Sequence, residues 1–455
     1  MNMKTMEFDE YRDKLFKAAK SAGFTDFELY YSQGESFKVN VYKGEIDNYS
    51  VSVSKGAGFR GIYNGQAGYA YAEILDEDSI NLVIENARFN AIIKDSDDIE
   101  EIYHGDKDYA DLNCFNEELS KVSENKKIEL AFEMEEMALE MDSRVKDIQH
   151  CGIQSFEGSI NIVNSKGLDL KHRANGIYAV LVPVVKDGDK TDTAFAYRSS
   201  RNVNDINARE IAHEAVDKAI AYIGAGSVKT GTYQVVLKNE AASDLLETYS
   251  DIFNADKAQK GMSLLRGKVG QVIGSKILSI IDDPLLINGM ASAPFDGEGV
   301  ACRTKDIIRE GQMVTLLHNL KTAKKDGIKS TGNASRPSYG STIDISPANF
   351  YIRPGELDFD SLLDRMGNGL LITELQGLHS GANTVSGDFS LAAKGFEVVN
   401  GKISRPVEQV TIAGNFYQMM TDVEDIANDI ILGLPSGRGC FGSPSLLIRK
   451  LSAAG

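Results

Sequence analysis

Tryptophan is absent from these 455 residues, and cysteine, histidine and proline are sparse, at 4, 6 and 9. The cysteines, Cys114, Cys151, Cys302 and Cys440, lie far apart with no CxxC pair, so no disulfide framework is expected. Positive charge is also short. Lys plus Arg number 49 against 66 Asp plus Glu, a net charge of −17. With no basic block to offset it, that surface repels phosphate backbones and disfavours direct nucleic-acid binding. Long hydrophobic runs are missing: the longest, Ile177 to Val185, contains Pro183 and falls far short of the ~20 residues of a membrane helix. The N-terminus mixes charges throughout and has no apolar core of a secretory signal, so a cytoplasmic protein is expected.

What is present is an ordinary globular composition, 42% hydrophobic and 25% charged, in a chain long enough for two or three domains. Asp9 to Ala22 carries apolar residues at helical spacing and stops at Gly23. From Glu28 to Leu75 apolar and polar residues alternate, interrupted by KG, KGAG and NG, which reads as an antiparallel meander. An acid-led helical run follows, DEDSINLVIENARFNAII. The acidic stretch 94–101 then reads as a solvated loop. The same order recurs: a long helix over 117–142, strands, and a helix at 205–223 ending at Gly224. The expected fold is α+β. Its N-terminal domain, 1–225, holds two helix–meander–helix units (1–100 and 115–225), and its β-rich C-terminal domain spans 226–455. The small-residue stretch 224–231 (GAGSVKTG) reads as a flexible boundary. Beyond it come a strand (TYQVVL), a helix (NEAASDLLETYSDIFN), and a Gly-rich remainder of short strands.

Residue types alone assemble no catalytic set. His213-Glu214-Ala215-Val216-Asp217 sets His213 and Asp217 on one helical face, as in HExxH, but Asp stands where the second histidine belongs. The other histidines are scattered, and adjacent His150 and Cys151 would point to opposite faces of a strand. Ser386-Gly387-Asp388-Phe389-Ser390 sets serine beside an acid without a nearby base. Neither GAGFRG (56–61) nor GAGSVKTG fits a dinucleotide or phosphate-loop template.

Several ordered segments do carry a resemblance. They are PFDGEGV (294–300), STGNASRP (330–337), GLHSGANTVSGDFSLAAKGFEVV (377–399), GKISRPVEQVTIAGN (401–415) and PSLLIRKLSAAG (444–455). With the N-terminal GAGFRGIYNGQAGYAYAE, they resemble the TldD/PmbA family, whose members are named as modulators of DNA gyrase. The resemblance implies a cytosolic zinc protease of two related subunits that clips unfolded or modified peptides in an enclosed cavity. The TldD type carries HExxxH on the first helix of the C-terminal domain, with a late cysteine as third ligand. The PmbA (TldE) type lacks the motif.

Laid on that pattern, the six motif positions here hold Glu247, Thr248, Tyr249, Ser250, Asp251 and Ile252. Threonine is no carboxylate base and isoleucine binds no zinc. The family's cysteine would fall near Asp429 or Ile430, with Cys440 about ten residues too late. The resemblance thus implies a PmbA-type subunit with no metal of its own, and zinc in a TldD-type partner. The expected partners are an HExxxH-bearing paralogue or a second copy, plus an unfolded peptide bound by strand addition. Asp296, Glu298, Asn383, Ser386 and Asp388 are the candidates for lining a peptide channel; as Gly/Ser/Asp clusters they equally suit turns. Two alternatives stand beside this reading: a stand-alone metallopeptidase using His213 and Asp217, and a regulatory protein that binds gyrase.

Overall fold

The computed structural model describes residues 5–94, 98 and 100–455. Helix α1 (Phe8–Ser21) leads into β1 (Asp26–Tyr42), β2 (Glu45–Tyr63) and β3 (Gln66–Ala72), and α2 (Glu77–Ile93) closes the unit. The two hairpins turn at Lys43-Gly44 and Asn64-Gly65. All four residues have positive φ (53°, 73°, 50° and 80°), as the tight hairpin turns that match strand twist require. Asp76 accepts from the Ser79 backbone N–H and starts α2 with a reciprocal cap.

The second unit runs α3 (Glu117–Ser120), α4 (Glu124–Met141), β4 (Val145–Asn164), β5 (Asp169–Asp187), β6 (Lys190–Thr193), β7 (Ala196–Ser200) and α5 (Ala208–Ala221). β1 pairs antiparallel with β4, from Glu28↔Asn164 to Asn40↔Gly152, crossing at Gly34↔Gly158. The two meanders thereby become one sheet, β3-β2-β1-β4-β5-β6, with β7 also on β5. One core lies beneath α1 and α2 at one end, built on Tyr11, Leu15, Phe59 and Ile84. Another lies beneath α4 and α5, built on Val39, Met134, Leu181 and Ile211.

The C-terminal domain adds β8 (Gly231–Leu237), α6 (Asn239–Thr248), α7 (Ala255–Gln259), β9 (Ile280–Asp282), β10 (Lys305–Arg309), β11 (Gln312–Met313) and α8 (Leu320–Asp326). It continues with β12 (Ala334–Ser335), β13 (Asp344–Ile345), β14 (Asn349–Ile352), β15 (Gly369–Gln376), β16 (Asp388–Val399) and β17 (Lys402–Asn415). Last come β18 (Val423–Ile426), β19 (Ile431–Leu432), β20 (Cys440–Ser443) and β21 (Leu446–Ala454). The order β17-β16-β15-β8-β21, with β17 also on β21, closes a barrel, and β18 flanks it. A second sheet runs β11-β10-β9-β14-β20-β19. Helix α6 packs against β15 and β20, and Leu245, Leu246, Ile252 and Phe253 fill the core between barrel and sheet. All four cysteines are free and buried. No helix among the described residues is long and apolar enough to cross a membrane.

Several local expectations are corrected. KGAG is no turn: β2 runs straight through it. A Cβ on Gly56 would sit 2.7 Å from the Tyr339 ring, and one on Gly58 2.1 Å from the Tyr339 carbonyl, so these glycines serve a close approach. The helix over 117–142 breaks at 121–123, where Ser123 caps α4 and accepts from Lys126 N–H. The helix over 205–223 is a short 3₁₀ turn (Val203–Asp205) followed by α5, capped by Asn207. GAGSVKTG is pinned rather than loose: Gly226 N–H donates to Pro406 O, and Arg405 donates to Ser227 O. The remainder is not all short strands, since β16 and β17 are 12 and 14 residues long. In the acidic stretch, residues 95–97 and 99 lie outside the described residues. Asp98 pairs with Lys321 and Lys325 and Glu101 with Lys324, which engages both with α8, while Glu100 pairs with Lys94.

Candidate functional site

The helix that would bear the zinc motif is α6 with the 3₁₀ turn (Ser250–Phe253) that follows it. Thr248 donates its hydroxyl to Asp244 O at 2.7 Å, and Ser250 donates to Glu247 O at 2.7 Å, which binds both side chains back onto their own helix. Ile252 is buried in the C-terminal core. Tyr249 stacks on Phe416 with centroids 4.5 Å apart and donates its hydroxyl to Asp388 O at 2.8 Å. Glu247 remains half-buried.

Glu240, Asp244 and Glu247 recur at helical spacing along one face of α6, and that face meets the N-terminal domain. Burial first, then Glu247, Glu240 and Glu374, raise the Asp244 carboxyl to about 7. Burial pulls the Lys218 ammonium down, but Glu240 and Glu214, each 2.8 Å away, leave it raised. Cys440 on β20 joins this group. Its thiol, pushed up to about 12 by burial and by Glu247, donates to Gly433 O. Cys440 is thus near α6 in space despite its late sequence position. Asp429, at the expected place of the family's cysteine, instead accepts from Ser445 and from Lys238 (2.9 Å) at the start of α6. Zinc does not fit these residues: α6 carries no imidazole, and no group of three or more His, Cys, Asp or Glu among the described residues could hold a metal ion.

The five channel candidates fall in two places. Asn383, Ser386 and Asp388 form one exposed turn. Asn383 Oδ1 accepts from Val385 and Ser386 N–H, and Ser386 donates its hydroxyl to Asp388 at 2.8 Å. Asn415 and then Ser386 hold the Asp388 carboxyl below its usual range. Through Tyr249 this turn is tied to the motif positions on α6. Asp296 and Glu298 are elsewhere, buried between the domains. Asp296 accepts from Glu298, Val300 and Ala334 N–H, and burial with Glu298 nearby raises it to about 7. Glu298 accepts from Leu320 N–H at the start of α8 and pairs with Arg60 at 3.0 Å. Arg60 also pairs with Glu28 at 3.4 Å, and Glu28 pairs with Arg336 at 3.0 Å. Arg336 lies over the rings of Tyr30 and Tyr69.

The members of this network that sequence reading missed are Glu28, Arg60 and Arg336. Arg60 and Arg336 stand inside GAGFRG and STGNASRP, so the motifs held them; nothing local marks Glu28. His213 and Asp217 are exposed, and their contact is with each other, at 2.8 Å. Cys151 is buried against α4 and donates to Ala131 O, while His150 is half-buried on the other face of β4.

Comparison with known proteins adds the following. Models of PmbA/TldA metallopeptidase domain 1, central domain and C-terminal domain match residues 27–91, 117–222 and 230–455. Metalloprotease PmbA of Escherichia coli O157:H7 is 27% identical over 434 residues, covering 94% of this chain and 92% of its own. A Metalloprotease TldD homolog of Haemophilus influenzae is 24% identical over 459 residues, covering 96% and 94%. Among solved structures, a "putative modulator of a DNA gyrase" from Thermotoga maritima MSB8 superposes with a TM-score of 0.91 at 31% identity, over 98% of this chain and 100% of that one. TldE from Thermococcus kodakarensis gives 0.89 at 21% identity, covering 98% and 100%, and shows the shared fold.

Proposed function

Because the chain belongs to the PmbA/TldD metallopeptidase family, we propose that it is the non-catalytic, PmbA/TldE-type subunit of a two-component zinc metalloprotease. The substrate class is unfolded or modified peptide, the compartment is the cytoplasm, and the catalytic zinc belongs to a TldD-type partner. One observation carries the reading: the helix that would supply the metal ligands and general base holds Glu247, Thr248 and Ile252. Of these, Thr248 is bonded to its own helix and Ile252 is core. A threonine hydroxyl supplies no carboxylate base, and the Ile252 side chain has no atom that binds zinc.

This chain's contribution is then architectural. The exposed turn of Asn383, Ser386 and Asp388 and the half-buried Glu247 would present polar groups to a passing peptide. Asp296 and Glu298 would act from inside the domain junction, holding those surfaces in place. Extended peptides suit strand addition, since backbone hydrogen bonds tolerate varied side chains.

The test is reconstitution. The chain alone should bind no stoichiometric zinc and cleave no peptide. Mixed with an HExxxH paralogue from the same genome, it should form a defined complex whose peptidase activity exceeds that of the paralogue alone. Zinc content and cleavage by the isolated chain would overturn the reading. Loss of that activity in His213→Ala would then point to the exposed His213–Asp217 pair.

A further inference from the structure

From Lys257 to Ile281 the chain has no Asp or Glu, but it has Lys257, Lys260, Arg266, Lys268 and Lys276. On a protein with 66 acidic residues and a net charge of −17 this is a cationic island. Asp256, just before it, is engaged by Lys260 and Lys321. Arg266, Lys268 and Lys276 are exposed and form no ion pair among the described residues. Met262, Leu264, Val269, Val272 and Ile277 stand exposed between these cations, Val272 most of all at 73%. The segment is fixed from behind. Leu265 and Leu278 enter the C-terminal core, and Ser263 donates its hydroxyl to Ile252 O at 2.6 Å. It also borders the turn of Asn383, Ser386 and Asp388. Tyr417 lies between them: its hydroxyl accepts from Leu264 N–H at 3.3 Å, and a Cβ on Gly387 would sit 2.4 Å from its ring. The carboxylate of that turn, Asp388, is already engaged by Ser386 and Asn415. Val272 bridges Gln312 antiparallel, at the outer edge of the sheet that ends in β11. The flanking bonds run from Ile273 N–H to Gly311 O and from Met313 N–H to Gln271 O. Val272 and Gln312 are thus a non-hydrogen-bonded pair, and the Val272 N–H and C=O turn away from β11.

We propose that this border selects the peptide: an extended segment rich in acidic and apolar residues binds along it, and a basic one is turned away. The acids meet Arg266, Lys268 and Lys276, none of which has to leave a carboxylate first. The apolar side chains cover Leu264, Val269 and Val272, and the outward backbone of Val272 offers the start of a strand pairing. Attraction for one charge and repulsion of the other together make the discrimination. The inference rests on the reading that peptides pass the turn of Asn383, Ser386 and Asp388, and adds which peptides those are. Because the cations are exposed, the selection weakens as salt rises.

Fluorescence anisotropy on the full chain tests this with two labelled peptides of equal length, one alternating Glu with Val and one alternating Lys with Val. At low salt the Glu peptide should bind on the order of tenfold more tightly. The variant R266E/K268E/K276E should erase that preference. K17E/K20E/K146E makes the same change of net charge on exposed lysines of the N-terminal domain and should leave it intact, which separates a local site from overall charge. Equal affinity for the two peptides, a preference that survives R266E/K268E/K276E, or one that falls as far in K17E/K20E/K146E would overturn the proposal. The subunit reading fails separately. A chain that prefers the Glu peptide through these residues yet raises the activity of no HExxxH paralogue keeps this inference and loses that reading. A chain that activates the paralogue but binds neither peptide does the reverse.

Discussion

Glu28 is the residue whose neutralisation should cost the fold most for the least change in shape. It is fully buried between Arg60 and Arg336, at 3.4 and 3.0 Å, and Arg60 in turn meets Glu298. The cluster therefore balances two cations with two anions. Glu28→Gln keeps the volume, so no cavity forms, but it leaves two buried guanidiniums facing one carboxylate. At an effective dielectric near 20, a unit charge pair about 4 Å apart is worth about 4 kcal/mol. Two such attractions are lost, offset to a degree because the neutral side chain no longer carries the desolvation penalty of a carboxylate. The net is about 3–5 kcal/mol, the range for breaking a buried pair from one side. For a unit of about 225 residues, roughly 2 °C per kcal/mol gives a fall in Tm of roughly 6–10 °C. Glu28 and Arg60 stand on the N-terminal sheet, Arg336 and Glu298 on the C-terminal domain. Differential scanning calorimetry should thus also show one transition splitting into two. Adding Arg336→Met removes the surplus cation and should recover some of the loss. A Tm within about 2 °C of the parent with a single transition would refute the idea that this network joins the domains.

Two further outcomes follow from the site and the barrel. The Asp244 carboxyl, at about 7 when folded and near 4 when unfolded, keeps its proton in the folded state over a range where the unfolded chain has lost it. Stability from this group therefore falls as pH rises from about 4 to about 7. Asp244→Asn should gain on the order of 2 kcal/mol over the parent at pH 8 and nothing at pH 4, by urea unfolding; an equal difference at both pH values would contradict the assignment. At Gly395, a Cβ would lie 1.9 Å from Leu371 O across the β15–β16 pair. Gly395→Ala must push these barrel strands apart and should lose about 3 kcal/mol or more, whereas a loss under about 1 kcal/mol would show that the strands separate there with little strain.

What could be read from the chain in advance follows the range of the interactions. The meander was legible because alternation and the KG and NG turns act within a few residues, and Lys43-Gly44 and Asn64-Gly65 do make the turns. KGAG misled because its glycines answer to Tyr339, almost 300 residues away in sequence, and no local pattern records such a partner. The same limit hid the β1–β4 pairing that fuses the two units, and the β17–β21 contact that closes the barrel. At the candidate site, the unsuitability of Ile252 for binding a metal was legible from residue identity, since isoleucine cannot ligate whatever its surroundings. The approach of Cys440 to Glu247 was not, because it depends on β20 lying against α6. The family-like segments are where both kinds of information meet. Those around residues 56–61, 294–300 and 330–337 read as glycine-rich turns one by one, yet fold into one buried cluster through Arg60, Glu298 and Asp296. The polar residues in such segments signal a demanding environment before they signal chemistry. Here Glu298 meets that demand through its pair with Arg60 across the domain junction and Asp296 by accepting three backbone N–H groups of its own domain, while Asn383, Ser386 and Asp388 form an exposed turn.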